Sequence, residues 1–299
     1  MNKSEMIKEL RALTQAGMND CREAIEQSDG DLQKAVDLIK TKGLNIADGR
    51  SGRAASDGVV LIVNNYPGAG VMVEVNCQTD FVANSPDFQG FARKTIGVLC
   101  DKWSHHLPFQ ASDVEGERKD LVAITKENIV VRRWWVEEAM APSARVFSYC
   151  HSNNKIGVLL TLLASSTEAV QSPDFIELGD NLAMQIAAMN PIAISPERLS
   201  TEDIERQTAI FHTQLTELKK PQAAWPKILE GKFKKWHTEV CLTEQESVWA
   251  PKTSVKQVVE NVGKSIGGNI QVVNFIRCQV GEGIATKKDN LAEEVAKLM

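Results

Sequence analysis

The chain lacks a basic surplus, paired cysteines and any long apolar run, and each absence removes a class of function. Across 299 residues, 34 lysines and arginines face 39 aspartates and glutamates, a formal net charge of −5. A protein that grips a nucleic-acid backbone needs a clustered basic excess, so direct nucleic-acid binding is not expected. The strongest apolar run, residues 156–164, is about half as long as a membrane-spanning helix requires, and no membrane partner is expected. The six cysteines (Cys21, Cys77, Cys100, Cys150, Cys241 and Cys278) are scattered, with no Cys-x-x-Cys pair. Disulfide frameworks belong to short secreted chains, so these read as reduced thiols of a cytoplasmic protein, buried as small apolar side chains. The first ten residues carry acidic side chains and no continuous apolar stretch, unlike a signal or transit peptide.

Motifs of covalent chemistry are missing as well. Gly263-Lys264-Ser265 looks like the close of a phosphate-binding loop, but the first glycine of that loop would fall at Val258, where the backbone cradle cannot form. No Gly-x-Ser-x-Gly elbow or His-Glu-x-x-His helix occurs. His105 and His106 are adjacent and would point apart on a helix, while His212 and His237 would supply only two metal ligands. The sequence therefore predicts no enzyme, no cofactor and no metal.

What is present is a regular succession of elements, long enough for about two domains. In the first forty residues apolar side chains recur at Met6/Ile7, Leu10 and Leu13, at Cys21 and Ala24/Ile25, and at Leu32, Val36 and Ile39. That spacing predicts three short helices, each with one buried stripe. Asp20 and Glu23 have the spacing of a capping box, and Gly17 and Gly30 can take positive φ between helices. So small a unit reads as a docking element. Residues 45–57, rich in Gly, Ala, Ser and Arg, read as a linker. Strands over 59–63 and 71–75 flank a turn-rich stretch, 64–70, which predicts a β-hairpin. Val71, Val73 and Val75 face one way, Glu74 and Asn76 the other. A helix over 86–103, strands over 128–133, 146–150 and 156–162, a helix over 174–189, a strand over 271–280 and a final helix over 290–298 follow. Ile204, Thr208, Phe211, Leu215 and Leu218 form a heptad seam that ends at Pro221. Pro226 opens a second helix, whose Trp225, Leu229, Phe233, Trp236 and Val240 provide the return seam. The pair predicts an antiparallel hairpin with arms of about 16 to 18 residues, or about 25 Å.

One constellation carries more information. The second strand runs into Asn76-Cys77-Gln78-Thr79-Asp80-Phe81-Val82-Ala83-Asn84, just before a helix capped by Ser85. Two readings stand: Phe81 plugs the core, or Asp80 and Phe81 project together into a partner's pocket. The segment 76–83 resembles the most diagnostic motif of the elongation factor Ts family, the nucleotide exchange factors of translation. Segments 10–21, 127–133, 151–159, 230–236, 242–245 and 281–284 resemble further family motifs in the same order, so the likeness spans nearly the whole chain.

The resemblance implies an α+β fold. Its parts are an amino-terminal three-helix UBA-like domain, a core of two similar α+β subdomains with antiparallel sheets, a protruding antiparallel coiled-coil hairpin and a short carboxy-terminal helical module. The expected boundaries are a docking domain at 1–45, a linker at 46–57, core subdomains at 58–145 and 146–282 with the hairpin at 200–240, and the module at 283–299. The resemblance further implies guanine nucleotide exchange on elongation factor Tu, bound in its GDP and nucleotide-free states. Thr79, Asp80, Phe81 and Val82 would form the wedge that disturbs the partner's magnesium and phosphate site. Leu13 and Met18 would lie on the amino-terminal docking face, and His151, Ile156 and Gly157 at a core contact. The hairpin would be open to secondary assemblies. An exchange factor needs no acid, base or nucleophile, in keeping with the missing motifs. The alternative is a non-catalytic interaction or assembly subunit, a scaffold or chaperone using the same docking domain and hairpin.

Overall fold

The computed structural model describes residues 2–14, 16–39, 41, 52–66, 68–151 and 153–284. Its amino-terminal unit consists of α1 (Lys3–Thr14), α2 (Met18–Gln27) and α3 (32–39), wrapped around Leu10, Cys21, Ala24, Ile25 and Ala35. The apolar stripes expected from the spacing meet, except that Leu13 is 62% exposed and lies off the buried face. Capping differs from expectation: α2 begins at Met18, so Asp20 lies within its first turn and is not its N-cap. An acid there is favoured by the helix dipole, and its carboxylate reaches Lys126 of the core at 3.4 Å. Gly17, as N-cap, has φ −61 rather than a positive value, whereas Gly30 does adopt φ +83.

The core strands are β1 (Asp57–Tyr66), β2 (Ala69–Cys77), β3 (Val130–Glu138), β4 (Ala144–His151), β5 (Ile156–Ala164) and β6 (Ile270–Gln279). They form two three-stranded antiparallel sheets, ordered β1-β2-β3 and β4-β5-β6. The helices that follow α3 are α4 (Asp80–Ala83), α5 (Pro86–Ser104), α6 (Glu115–Thr125), α7 (Pro173–Met189), α8 (Thr201–Glu217), α9 (Trp225–Val240) and α10 (Val255–Ser265). The β1–β2 hairpin sets Val59 opposite Val75, but the strands run on to Tyr66 and Ala69, with an irregularity between Val63 and Tyr66. Its turn is therefore shorter than the seven residues expected. Helices α4, α6 and α10 are additions to the predicted set. Gly263-Lys264-Ser265 closes α10; a helix's C-terminal end presents carbonyls, not the amides a phosphate needs.

Four layers result. Helices α5 and α6 cover the outer face of the first sheet, where Val71, Val73 and Val75 pack against Phe88, Phe91, Ile96 and Leu99. Helices α7 and α10 cover the outer face of the second. Between the sheets lies a shared core of Val60, Met72, Val146, Leu159 and Cys278. Two glycines permit that approach. A Cβ on Gly157 would stand 2.5 Å from Val60 Cγ1 and 2.8 Å from Met72 Sδ, and one on Gly70 would stand 2.7 Å from Leu159 Cδ2. Gly157→Ala is accordingly expected to cost roughly 1–3 kcal/mol of stability, the scale of an overpacked core. Chemical denaturation checks this, and an unchanged midpoint would show that the sheets give way freely.

Because the sheets stack, every residue of β2 is buried, including its polar face. A buried charge must be paired, and Glu74 accepts hydrogen bonds from Arg133 Nε (2.5 Å), Arg132 Nη1 (3.1 Å), Asn76 Nδ2 (3.1 Å) and the Gly281 N–H (2.8 Å). Burial works against its charge, but these bonds, led by those from Gly281 and Arg133, outweigh it and hold the carboxyl below the usual carboxylate range. Trp134 and Trp135, on successive positions of β3, serve opposite faces. Trp134 packs edge-on to Phe109 in the outer core, and Trp135 lies against the inter-sheet core under Arg133. All six cysteines are free thiols; Cys150 is exposed, which corrects the expectation that each is buried.

Helices α8 and α9 form the antiparallel hairpin, with 17- and 16-residue arms. Phe211 meets Phe233 edge-on at 5.2 Å, and the Lys232 ammonium lies over the Phe211 ring while bonding Gln214. The buried seam is shorter than the heptad pattern suggested. Phe211, Leu215 and Trp236 are buried, but Ile204 is 38% exposed and Leu218, the C-cap of α8 where the pairing ends, is 61% exposed. Replacing 203–238 with a short Gly/Ser linker is expected to leave the unfolding of the four layers largely intact. A large fall in melting temperature would show that they need the arm. The expected final helix at 290–298, the carboxy-terminal module beyond 284 and linker residues 46–51 lie outside the described residues.

Candidate functional site

The strand end at Cys77 passes through Gln78 and Thr79 into the single turn of α4. Thr79 caps that turn, its Oγ1 accepting from the Val82 N–H at 3.4 Å, while Asn84 Nδ2 donates to the Asp80 carbonyl at 2.8 Å. Ser85 then caps α5, accepting from the Phe88 N–H at 3.3 Å. The turn has two sides. Ala83 is buried and Val82 half-buried against the outer core of the first sheet, which pins the turn from below. Asp80 and Phe81 point away from that core, and Phe81 is 85% exposed. Each of the other phenylalanines is buried or half-buried. Phe81 is therefore not a core plug; Phe88, fully buried, does that work.

A residue that sequence reasoning did not single out holds this segment. Glu127, between α6 and β3, accepts from the Gln78 N–H (2.9 Å) and Thr79 N–H (3.1 Å) through Oε2, and from the Thr79 hydroxyl (2.6 Å) through Oε1. The Asn128 N–H donates in turn to Gln78 Oε1 at 3.1 Å. Burial, with the Glu127 and Asp57 carboxylates nearby, pushes the Cys77 thiol up to about 12, so that cysteine is inert.

Leu13, late in α1, and Met18, at the start of α2, are both exposed, as a docking face requires. Their unit is tied to the core by the Asp20–Lys126 ion pair. Consecutive residues, Lys126 and Glu127, thus reach the amino-terminal unit and the segment that leads into α4. His151 is exposed at the end of β4, with Tyr149 Oη 2.8 Å from its Nδ1. Ile156 opens β5 half-buried on the outer core of the second sheet. Gly157 is a correction: it is buried between the sheets, and its lack of a side chain serves their packing instead of a surface contact. Among the described residues, no group of three or more His, Cys, Asp or Glu side chains is placed to hold a metal, and no helix is long and apolar enough to cross a membrane.

Compared with known proteins, residues 78–282 match the family described as Elongation factor TS. The chain belongs to the elongation factor Ts family. It is 37% identical to elongation factor Ts of Syntrophotalea carbinolica, over 99% of this chain and 98% of that relative. The protein of the same name from Clostridioides difficile is also 37% identical, over 98% and 97%. That of Symbiobacterium thermophilum is 38% identical over the same shares. The elongation factor Ts match starts one residue before Thr79 and takes in α4, β3, the second sheet and the hairpin, while the alignments to these relatives also cover β1, β2 and the amino-terminal unit.

Proposed function

We propose that this protein is a guanine nucleotide exchange factor for elongation factor Tu, using Asp80 and Phe81 as a wedge against the partner's magnesium and phosphate site. The exposed Phe81 on a pinned one-turn helix carries the reading. Leaving a phenylalanine in water forgoes about 1.5–3 kcal/mol of burial, which a partner's pocket would recover. Exchange needs no bond-making group. It requires tighter binding to nucleotide-free than to GDP-bound partner, and linkage then weakens nucleotide affinity by the same factor. Phe81 would displace packed partner side chains, while the Asp80 carboxylate would compete with phosphate for cationic groups in an already anionic site. Leu13 and Met18 supply a first grip; His151 and Ile156 supply a second on another sheet. In this reading residues 1–45 dock, 58–145 present the wedge, and 146–282 complete the grip.

The deciding experiment adds catalytic amounts of the protein to elongation factor Tu loaded with labelled GDP. Accelerated release is expected. Tight binding without acceleration would make the protein a scaffold instead. Removing residues 1–45 is expected to leave a folded core with weaker partner binding, since the amino-terminal unit has its own small core. Titration calorimetry reads this directly, and equal affinity with and without the segment would discard the docking role.

A further inference from the structure

We propose that Glu127 is the positioning residue of the wedge, fixing the direction in which Asp80 and Phe81 project; the inference rests on the exchange reading above. A four-residue helix cannot hold its own orientation, because its first N–H groups have no partners within it. Here the two amides just before it, of Gln78 and Thr79, both end on Glu127 Oε2, and the Thr79 hydroxyl ends on Oε1. Three bonds to one carboxylate are charge-assisted and leave residues 78 and 79 a single backbone course.

The Thr79 hydroxyl also connects the grip to the helix. Its one proton goes to Glu127, which leaves its lone pairs for the Val82 N–H. A hydroxyl polarised by a carboxylate is a better acceptor, so the cap of α4 depends on a residue 48 positions away. The base of the grip is itself fixed. The Glu127 N–H donates to Thr125 Oγ1 (3.3 Å), Asn128 Nδ2 donates to the Arg53 carbonyl (2.7 Å), and Ile129 is fully buried. The backbone that carries Asp80 and Phe81 is thereby tied to the first sheet.

The test compares full-length wild type, Glu127→Gln, Phe81→Ala and the double variant, measuring melting temperature, affinity for GDP-loaded elongation factor Tu and the maximal rate of stimulated GDP release. A glutamine has one acceptor oxygen and presents N–H groups to the amides it should receive. Glu127→Gln is expected to lower the maximal rate on the order of tenfold, the scale of one lost hydrogen bond to a charged group, with affinity changed less than about threefold. In the Phe81→Ala background it should have no further effect, because the element it aims is gone. Thr79→Val removes the hydroxyl link alone; a slowed rate with retained affinity is expected there also, and this variant carries the test should Glu127→Gln fail to fold. Multiplying effects in the double variant, or a parallel loss of affinity and rate, would overturn the inference. So would a wild-type rate for Glu127→Gln beside a slow Phe81→Ala, which leaves the wedge itself standing. A wild-type rate for Phe81→Ala would overturn the wedge reading as well.

Discussion

Phe81→Ala is expected to slow the maximal rate of stimulated GDP release by roughly thirtyfold, the kinetic equivalent of losing one dominant interface side chain. Melting temperature should not fall, because the ring is 85% exposed and its removal opens no cavity. Affinity for the partner should suffer less than rate, since the exposed Leu13, Met18 and His151 remain. Stopped-flow measurement with labelled GDP at saturating factor separates the two quantities. Exchange at the wild-type rate would end the wedge assignment.

The largest stability effect is expected at Glu74. Glu74→Gln leaves Arg132 and Arg133 without their shared counter-charge while they stay half-buried. Breaking a buried pair from one side costs about 3–5 kcal/mol, a fall of roughly 6–20 °C in melting temperature for a chain of this size. The effect depends on pH. Glu74 is held below the usual carboxylate range when folded and titrates near about 4.3 when unfolded. Its contribution is therefore complete above that value and lost as pH falls through the lower, folded value. Wild type and variant should differ most near about pH 7 and converge under strong acid. A constant difference across that range would show that the carboxylate's charge is not what stabilises the fold.

Local periodicity made much of this legible. The β1–β2 hairpin, α5, α7 and the paired arms each follow from a pattern within one stretch of chain, and all lie within a few residues of their expected bounds. Long-range packing did not show. Alternation in β2 separates Val73 from Glu74, but it cannot say that a second sheet lies across from Glu74. Nothing near Gly157 in sequence reveals that Val60 and Met72 will press on it. Helix α6 buries only Leu121 and Val122, too few to mark a stripe. At the site, Asp80 and Phe81 were singled out from their chemistry and the family likeness, yet two readings of Phe81 stood until its exposure was known. Glu127 was hidden because its three bonds run to residues about fifty positions earlier; the only available signal was an acid at the head of segment 127–133.

The layered core also sets a timetable for synthesis. The first sheet has all its strands once residue 138 has left the ribosome, but β5 must wait from residue 164 to residue 270 for β6. At ordinary elongation rates that is roughly 5–20 s, during which one edge of a largely apolar strand stands open to other chains. The late segment that closes this edge also brings the Gly281 N–H to Glu74 and the Gln279 carbonyl to Arg133. A protein that serves translation is thus most exposed to aggregation while it is itself being translated, and any variant that slows the α8–α9 arm or truncates the chain before residue 270 prolongs that exposure.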